Sequence, residues 1–199
     1  QDVRPPGRRV GNLLFSSGLT DAAEHAVVIC RDGEAGFVEE RRPLHGFVRG
    51  IFSGDTLAYE MLLGLQAILA PVYSNISANP ERKLDNVNSS IAHTIMEMSE
   101  KPFMQGGLHP MLDNGSRLRR LQQEAADDEV DMIVLDVLLG EGSHPDPAAE
   151  LAPAIAKAKR AGKRVVAIVV GTEEDPQGLD GQIERLAAAG AQVFPNVNE

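Results

Sequence analysis

Two His-Pro steps carry the side chains of this sequence best suited to chemistry near neutral pH. His109 lies in Gly106-Gly-Leu-His-Pro-Met-Leu-Asp113 and His144 in Gly140-Glu-Gly-Ser-His-Pro-Asp-Pro147. Each runs toward an expected helix, and imidazole is the group whose charge changes in this pH range. Either histidine can act as a general acid–base, as a transient phosphoryl acceptor or as an anion-binding group. Either can equally be a loop histidine that hydrogen-bonds a helix cap. Neither has the His-x-x-x-His spacing that puts two ligands on one helix face, so no metal site is expected. His25, His45 and His93 have no supporting context and read as structural.

Three short loops share a second pattern, in which glycine, hydroxyl and acid groups run into a helix. They are Ser53-Gly54-Asp55-Thr56, the His144 loop with Gly140, Gly142 and Asp146, and Gly171-Thr172-Glu173-Glu174-Asp175-Pro176-Gln177. The free N–H groups at the start of a helix, with the hydroxyls of Ser53 and Thr56, suit a phosphate or carboxylate. An ordinary capped helix start uses the same residues. Asp55 adds a carboxylate beside that position, and the lysine and spacing of a Walker loop are missing. Glu173, Glu174 and Asp175 read either as a solvated charge run or as a group able to orient an amide or ammonium. Gln177 can bind a carbamoyl or carboxamide.

The elements that must position these loops follow from hydrophobic periodicity. Phe47–Phe52 is β-prone, and Leu57, Met61, Leu65, Ile68 and Leu69 then mark one face of a helix. Ser74–Ser90 reads as an exposed loop, Thr94–Met98 as a strand, and Arg117–Ala126 as a helix with Ser116 as N-cap. Met132–Leu139 is apolar at nearly every position, as in a strand covered on both faces. Asp146 and Pro147 start a helix that Gly162 ends, and Pro153 is expected to break or kink it. Val165–Val170 is a further buried strand. Leu179, Ile183 and Leu186 mark a last helix, and Ala191–Phe194 a last strand. Five strands alternating with four helices predict a flavodoxin-like, doubly wound parallel sheet. In such a sheet ligands bind beyond the carboxyl ends of the strands, which is where all three loops fall.

Composition narrows the function classes. Of 199 residues, 19 are Lys or Arg and 29 are Asp or Glu, a net charge of −10 that offers no footprint for nucleic acid or an anionic membrane. No apolar stretch approaches the roughly 20 residues of a membrane span. Cys30 is the single cysteine, so an internal disulfide and a cysteine-rich zinc site are excluded. It lacks any partner motif and reads as inert. With no signal-peptide pattern at residues 1–10, a cytoplasmic protein is expected. Residues 1–45 are charged and turn-rich apart from Ala26–Cys30, a short strand candidate. They read as a linker or the tail of an upstream domain, ahead of one domain over 46–199. A start at Gln1 rather than Met suggests a piece of a longer polypeptide.

Several motifs together resemble the FdrA family. They are Arg49-Gly-Ile-Phe-Ser-Gly-Asp-Thr-Leu-Ala-Tyr-Glu60, Pro71-Val-Tyr-Ser-Asn75, His93-Thr-Ile, Leu108-His-Pro-Met-Leu-Asp113, Leu135-Asp-Val-Leu-Leu-Gly140, Ser143-His-Pro-Asp-Pro147 and the Gly171–Gln177 loop. They occur in the family's order over residues 47–196. Members look like fused relatives of succinyl-CoA synthetase, with an amino-terminal Rossmann-type CoA-binding half and a carboxyl-terminal ligase half of flavodoxin type. The resemblance implies the ligase half, linked to an oxamate carbamoyltransferase of allantoin breakdown. Phosphate or carbamoyl phosphate is the implied ligand, with CoA as a further one, and a Rossmann-type domain and oligomers the implied partners.

Carried over by residue, the resemblance makes His109 and His144 the phosphoryl- or carbamoyl-handling groups. Ser53, Gly54 and Thr56 would hold phosphate. Gly140, Gly142, Asp146, Gly171, Thr172, Glu173, Asp175 and Gln177 would shape the substrate site. The chain departs from the pattern at Asp55, where glycine is usual, and in lacking an arginine just before the first His-Pro. A CoA-thioester ligase with a phosphohistidine, and a non-catalytic assembly subunit, are the rival readings.

Overall fold

A computed structural model describes residues 9–10, 13–14, 44–104 and 107–196 of the chain. Two compact units are distinguished, residues 1–43 and 44–199. In the first, β1 (Arg9–Val10) and β2 (Leu13–Leu14) pair antiparallel. The strand expected over 26–30, with Cys30, lies outside the described residues, as does His25.

The second unit is built on one parallel sheet. Its strands are β3 (Phe47–Phe52), β4 (Val72–Ser74), β5 (His93–Glu97), β6 (Val130–Leu138), β7 (Arg164–Val170) and β8 (Gln192–Asn196). They lie in the order β4-β5-β3-β6-β7-β8, and every pairing is parallel. The five expected strands are β3, β5, β6, β7 and β8, in the flavodoxin-like order 2-1-3-4-5. The sixth, β4, adds an edge beyond β5. At three residues it is too short for a period-two pattern to mark it.

Helices α1 (Asp55–Gln66), α2 (Gly115–Ala125), α3 (Pro147–Arg160) and α4 (Leu179–Ala188) cover both faces. Ala58 and Leu62 of α1 pack with Val48, Phe52, Ile95 and Val134 on one face. Leu121, Leu151, Ile155 and Leu186 from the other helices pack with Ile51, Met96, Ile133 and Val137 on the opposite face. Burial on both sides explains why β6 is apolar at consecutive positions.

Local chemistry sets the helix ends. Asp146 caps α3 by accepting the Ala149 N–H at 3.2 Å, and Pro147 follows at the first helical position. Behind α3 and α4, Gly162 (φ 85°) and Gly190 (φ 98°) adopt the left-handed conformation. The next N–H then returns to the helix, from Lys163 to the Ala158 carbonyl and from Ala191 to that of Leu186, each at 3.1 Å.

Two expectations are corrected. Pro153 does not interrupt α3, which runs unbroken across it. Pro153 and Ala149 both lie on the exposed side, so the Ala149 carbonyl that loses its helical partner is on the side open to solvent, while Leu151, Ala154, Ile155 and Ala158 hold the helix on the sheet. Ser116 does not cap α2; Asn114 occupies that position, and the Gly115 N–H is taken by Asp113 Oδ1 at 2.8 Å. Between β4 and β5 the expected loop carries a 3-10 turn, Pro80–Arg82, and buries Leu84.

Candidate functional site

From β3 the chain leaves through α1 on one face, and from β6 through α3 on the other. That divergence opens a crevice between the carboxyl ends of β3 and β6, the place where open α/β sheets bind ligands. The Ser53, His144 and Gly171 loops all lie at this edge. Also at this edge, the His109 loop joins the His144 loop directly, since the His144 N–H donates to the Met111 carbonyl at 2.8 Å.

The start of α1 is open. Its N-cap is Gly54 in an extended conformation (φ −152°, ψ 160°), and no side chain caps the first turn. Ser53 precedes it, and both its donors point elsewhere: Ser53 N–H lies 2.9 Å from Asp136 Oδ1 and its hydroxyl 2.8 Å from Oδ2. The capped-start reading therefore fails, and Ser53 has no donor left for a ligand. Asp55 and Thr56 are exposed, with the Thr56 hydroxyl 3.3 Å from Asp55 Oδ1.

The other helix starts are filled. Asp146 accepts from Gln182 Nε2 at 3.0 Å and from Arg185 Nη1, while Gln182 Oε1 takes the Ala148 N–H at 2.8 Å. The Gln182 hydrogen bond, then the Ala149 N–H and Arg185, outweigh desolvation and hold the Asp146 carboxyl below its ordinary pKa. Gln177 is committed to the neighbouring loop. Its Oε1 accepts the Gly140 N–H at 3.0 Å, and its Nε2 donates to the carbonyls of Gly140 at 2.9 Å and His144 at 3.2 Å. Asp175 Oδ2 accepts the Thr172 N–H at 2.6 Å, closing its own loop. These residues brace the loops around Gly140 (φ 126°), Gly142 (φ 83°) and Gly171, and Thr172 and Glu173 stay exposed.

Both His-Pro histidines are held alike. His109 Nδ1 accepts the Met111 N–H at 3.2 Å, and His144 Nδ1 the Asp146 N–H at 3.1 Å. A neutral ring that accepts at Nδ1 carries its proton on Nε2. Such a ring donates a hydrogen bond or binds an anion; it has no Nε2 lone pair with which to attack phosphorus. His144 Nε2 lies 3.0 Å from Glu150 Oε2.

Sequence reasoning passed over the residues that tie these parts together. Glu150 Oε2 also accepts from Asn114 Nδ2 at 3.0 Å, and Asn114 Oδ1 accepts from Arg117 Nη1 at 3.1 Å. Arg117 Nη2 donates to Asp136 Oδ1 at 2.7 Å. A continuous chain of hydrogen bonds thus runs from His144 to Ser53 beneath the crevice. Two signals marked it: Asp136 is the one charge within the apolar run 132–139, and Arg117, Leu121 and Glu124 share the spacing of a helix's buried face.

Among the described residues no group of three or more His, Cys, Asp or Glu could hold a metal ion, and no helix is long and apolar enough to cross a membrane. An open depression of about 530 Å³, lined by His45, Phe47, Leu69, His93 and Glu129 among others, lies at the amino-terminal ends of the strands. That is the sheet edge opposite the three loops.

Comparison with known proteins agrees with this architecture. The uncharacterized protein YahF of Escherichia coli (strain K12) is 39% identical over 202 residues, covering 89% of this chain and 38% of YahF. The chain thus spans well under half the length of this curated relative. The CoA-ligase family model matches residues 51–199, from the end of β3 through the three loops and onward. With most of its length matched, and with a six-stranded parallel sheet flanked by helices, the chain belongs to the CoA-ligase family.

Proposed function

We propose that this CoA-ligase domain is the ligase-like half of an FdrA-type protein and binds an acyl or carbamoyl phosphate at the start of α1. The observation that carries the reading is the uncapped first turn of α1 at the switch point, whose N–H groups and helix dipole suit an anion. Gly54 and Thr56 would present the N–H groups, with Ser53 fixed beneath them. His109 would bind the transferred group as an Nε2–H donor, while His144, whose Nε2–H goes to Glu150 Oε2 at 3.0 Å, would hold the adjoining loop against it. Gly171 lets its loop approach Leu139 closely, Gly140 and Gly142 turn their loop through left-handed conformations, and Asp146, Asp175 and Gln177 hold the loops in place. Thr172 and Glu173 lie at the rim. A carbamoyltransferase role in allantoin breakdown, an oligomer with a Rossmann-type partner and a cytoplasmic location follow from the FdrA resemblance.

The family match favours a second reading, a CoA-thioester ligase of succinyl-CoA synthetase type. Calorimetric titration with phosphate, carbamoyl phosphate and CoA, with and without a Rossmann-type partner, separates the two. Saturable binding of the phosphate ligands supports the first reading, and binding of CoA alone supports the second. No binding under either condition leaves an assembly subunit.

A further inference from the structure

Beneath the crevice sits a buried ion pair to which none of the loops' ligand roles lays claim. Arg117 is 3% exposed and Asp136 fully buried. Arg117 Nη2 reaches Asp136 Oδ1 at 2.7 Å, the Asp136 carbonyl, and the Ile51 carbonyl at 3.4 Å. One guanidinium from α2 therefore grips the carboxyl ends of both β3 and β6. Its Nε is buried without an acceptor among the described residues.

Apolar side chains of similar volume would join two strands at least as stably, because a buried pair must offset a large desolvation penalty. What the pair adds is direction. The β3–β6 ladder ends at Ile51 and Leu135. Beyond it, the Asp136 carboxylate takes the Ser53 N–H and hydroxyl in place of ladder bonds. The backbone is thereby turned from β3 into α1 at a fixed angle. Ser53 faces down into the protein, and Gly54 enters the helix with its first-turn N–H groups uncovered.

We infer that Arg117 and Asp136 are positioning residues for the α1 anion site, acting through Ser53 rather than by touching the ligand. The inference rests on the reading of α1 as an anion site. Inorganic phosphate titrated into the full ¹⁵N-labelled chain, read at the amides of residues 54–57, tests both. Ser53→Ala removes one bond to Asp136 and should weaken phosphate binding about threefold; Asp136→Asn disrupts the pair and should weaken it about tenfold.

Leu186→Ala, a buried leucine of α4, supplies a destabilised control that should leave the dissociation constant unchanged. Wild-type affinity in folded Ser53→Ala and Asp136→Asn overturns the positioning role while leaving the anion site standing. Weakening in Leu186→Ala equal to that in the two variants also overturns it, since general destabilisation then explains the effect. Absence of saturable shifts in the wild type overturns the anion-site reading and this inference with it. Should Asp136→Asn fail to fold, Ser53→Ala decides alone.

Discussion

Replacing Arg117 by Met should destabilise the domain far more than breaking any ion pair at its surface. The side chain of Arg117 is 4% exposed and that of its partner Asp136 is fully buried, so neither charge is relieved by water. Desolvation already lowers the Arg117 pKa, opposed by the charge of Asp136. Removing the guanidinium leaves Asp136 a buried carboxylate held only by Ser53, and strips donors from the Ile51 and Asp136 carbonyls. Loss of one partner of a buried pair costs about 3–5 kcal/mol. For a domain of this size that lowers the melting temperature by roughly 6–20 °C. Urea unfolding of wild type, Arg117→Met, Asp136→Leu and the double variant closes the cycle. The double variant should recover much of the loss, because it buries no unpaired charge. Arg185→Met, which breaks the half-exposed pair with Asp146, should cost at most about 1 kcal/mol. A loss for Arg117→Met no larger than that of Arg185→Met would refute the reasoning.

Other perturbations have equally definite signs. Burial, then the charge of Arg49, lowers the His93 pKa from 6.5. Stability from neutral His93 is therefore full above the unfolded value and lost as pH falls through it toward the folded value. Urea midpoints should drop between pH 7.5 and 5.5, and His93→Asn, which keeps an acceptor for the Val48 N–H, should reduce the drop. Gly64→Ala, in open space on α1, should stabilise by about 0.5–1 kcal/mol. Gly46→Ala should destabilise, since its Cβ would stand 2.4 Å from the Glu129 carbonyl oxygen; thermal melts of the pair check both. Asp55→Asn should tighten phosphate binding about fivefold at low salt by removing like charge, while slightly lowering stability through the loss of a favourable helix-dipole contact. Calorimetry and melting of the same variant read the two opposite effects.

The sheet was legible because its strands carry long apolar runs and its helices carry terminal signals. Val165–Val170 and Met132–Leu139 leave little choice but buried parallel strands, and Asp146-Pro147, Gly162 and Gly190 mark helix ends. The edge strand β4 was not legible: three residues hold too little pattern, and what pairs Val72–Ser74 with β5 is the register to His93–Ile95. Pro153 misled because a proline signal says nothing about which side of the helix meets water. In the site, strand-end position picked out the right loops, but residue type could not distinguish a free group from a committed one. Ser53 and Gln177 have the chemistry of ligand contacts, yet their donors go to Asp136, Gly140 and His144. Those partners lie 33 to 83 residues away in sequence, a separation that only the fold brings within hydrogen-bond distance.

The most direct test of the α1 site is an amide-resolved titration of the full chain with inorganic phosphate and carbamoyl phosphate. Saturable shifts centred on Gly54, Thr56 and Leu57, extending to the His109 and His144 loops, are the expected result. Shifts confined to His45, His93 and Glu129 around the opposite depression, or none that saturate, would contradict an anion site at the start of α1.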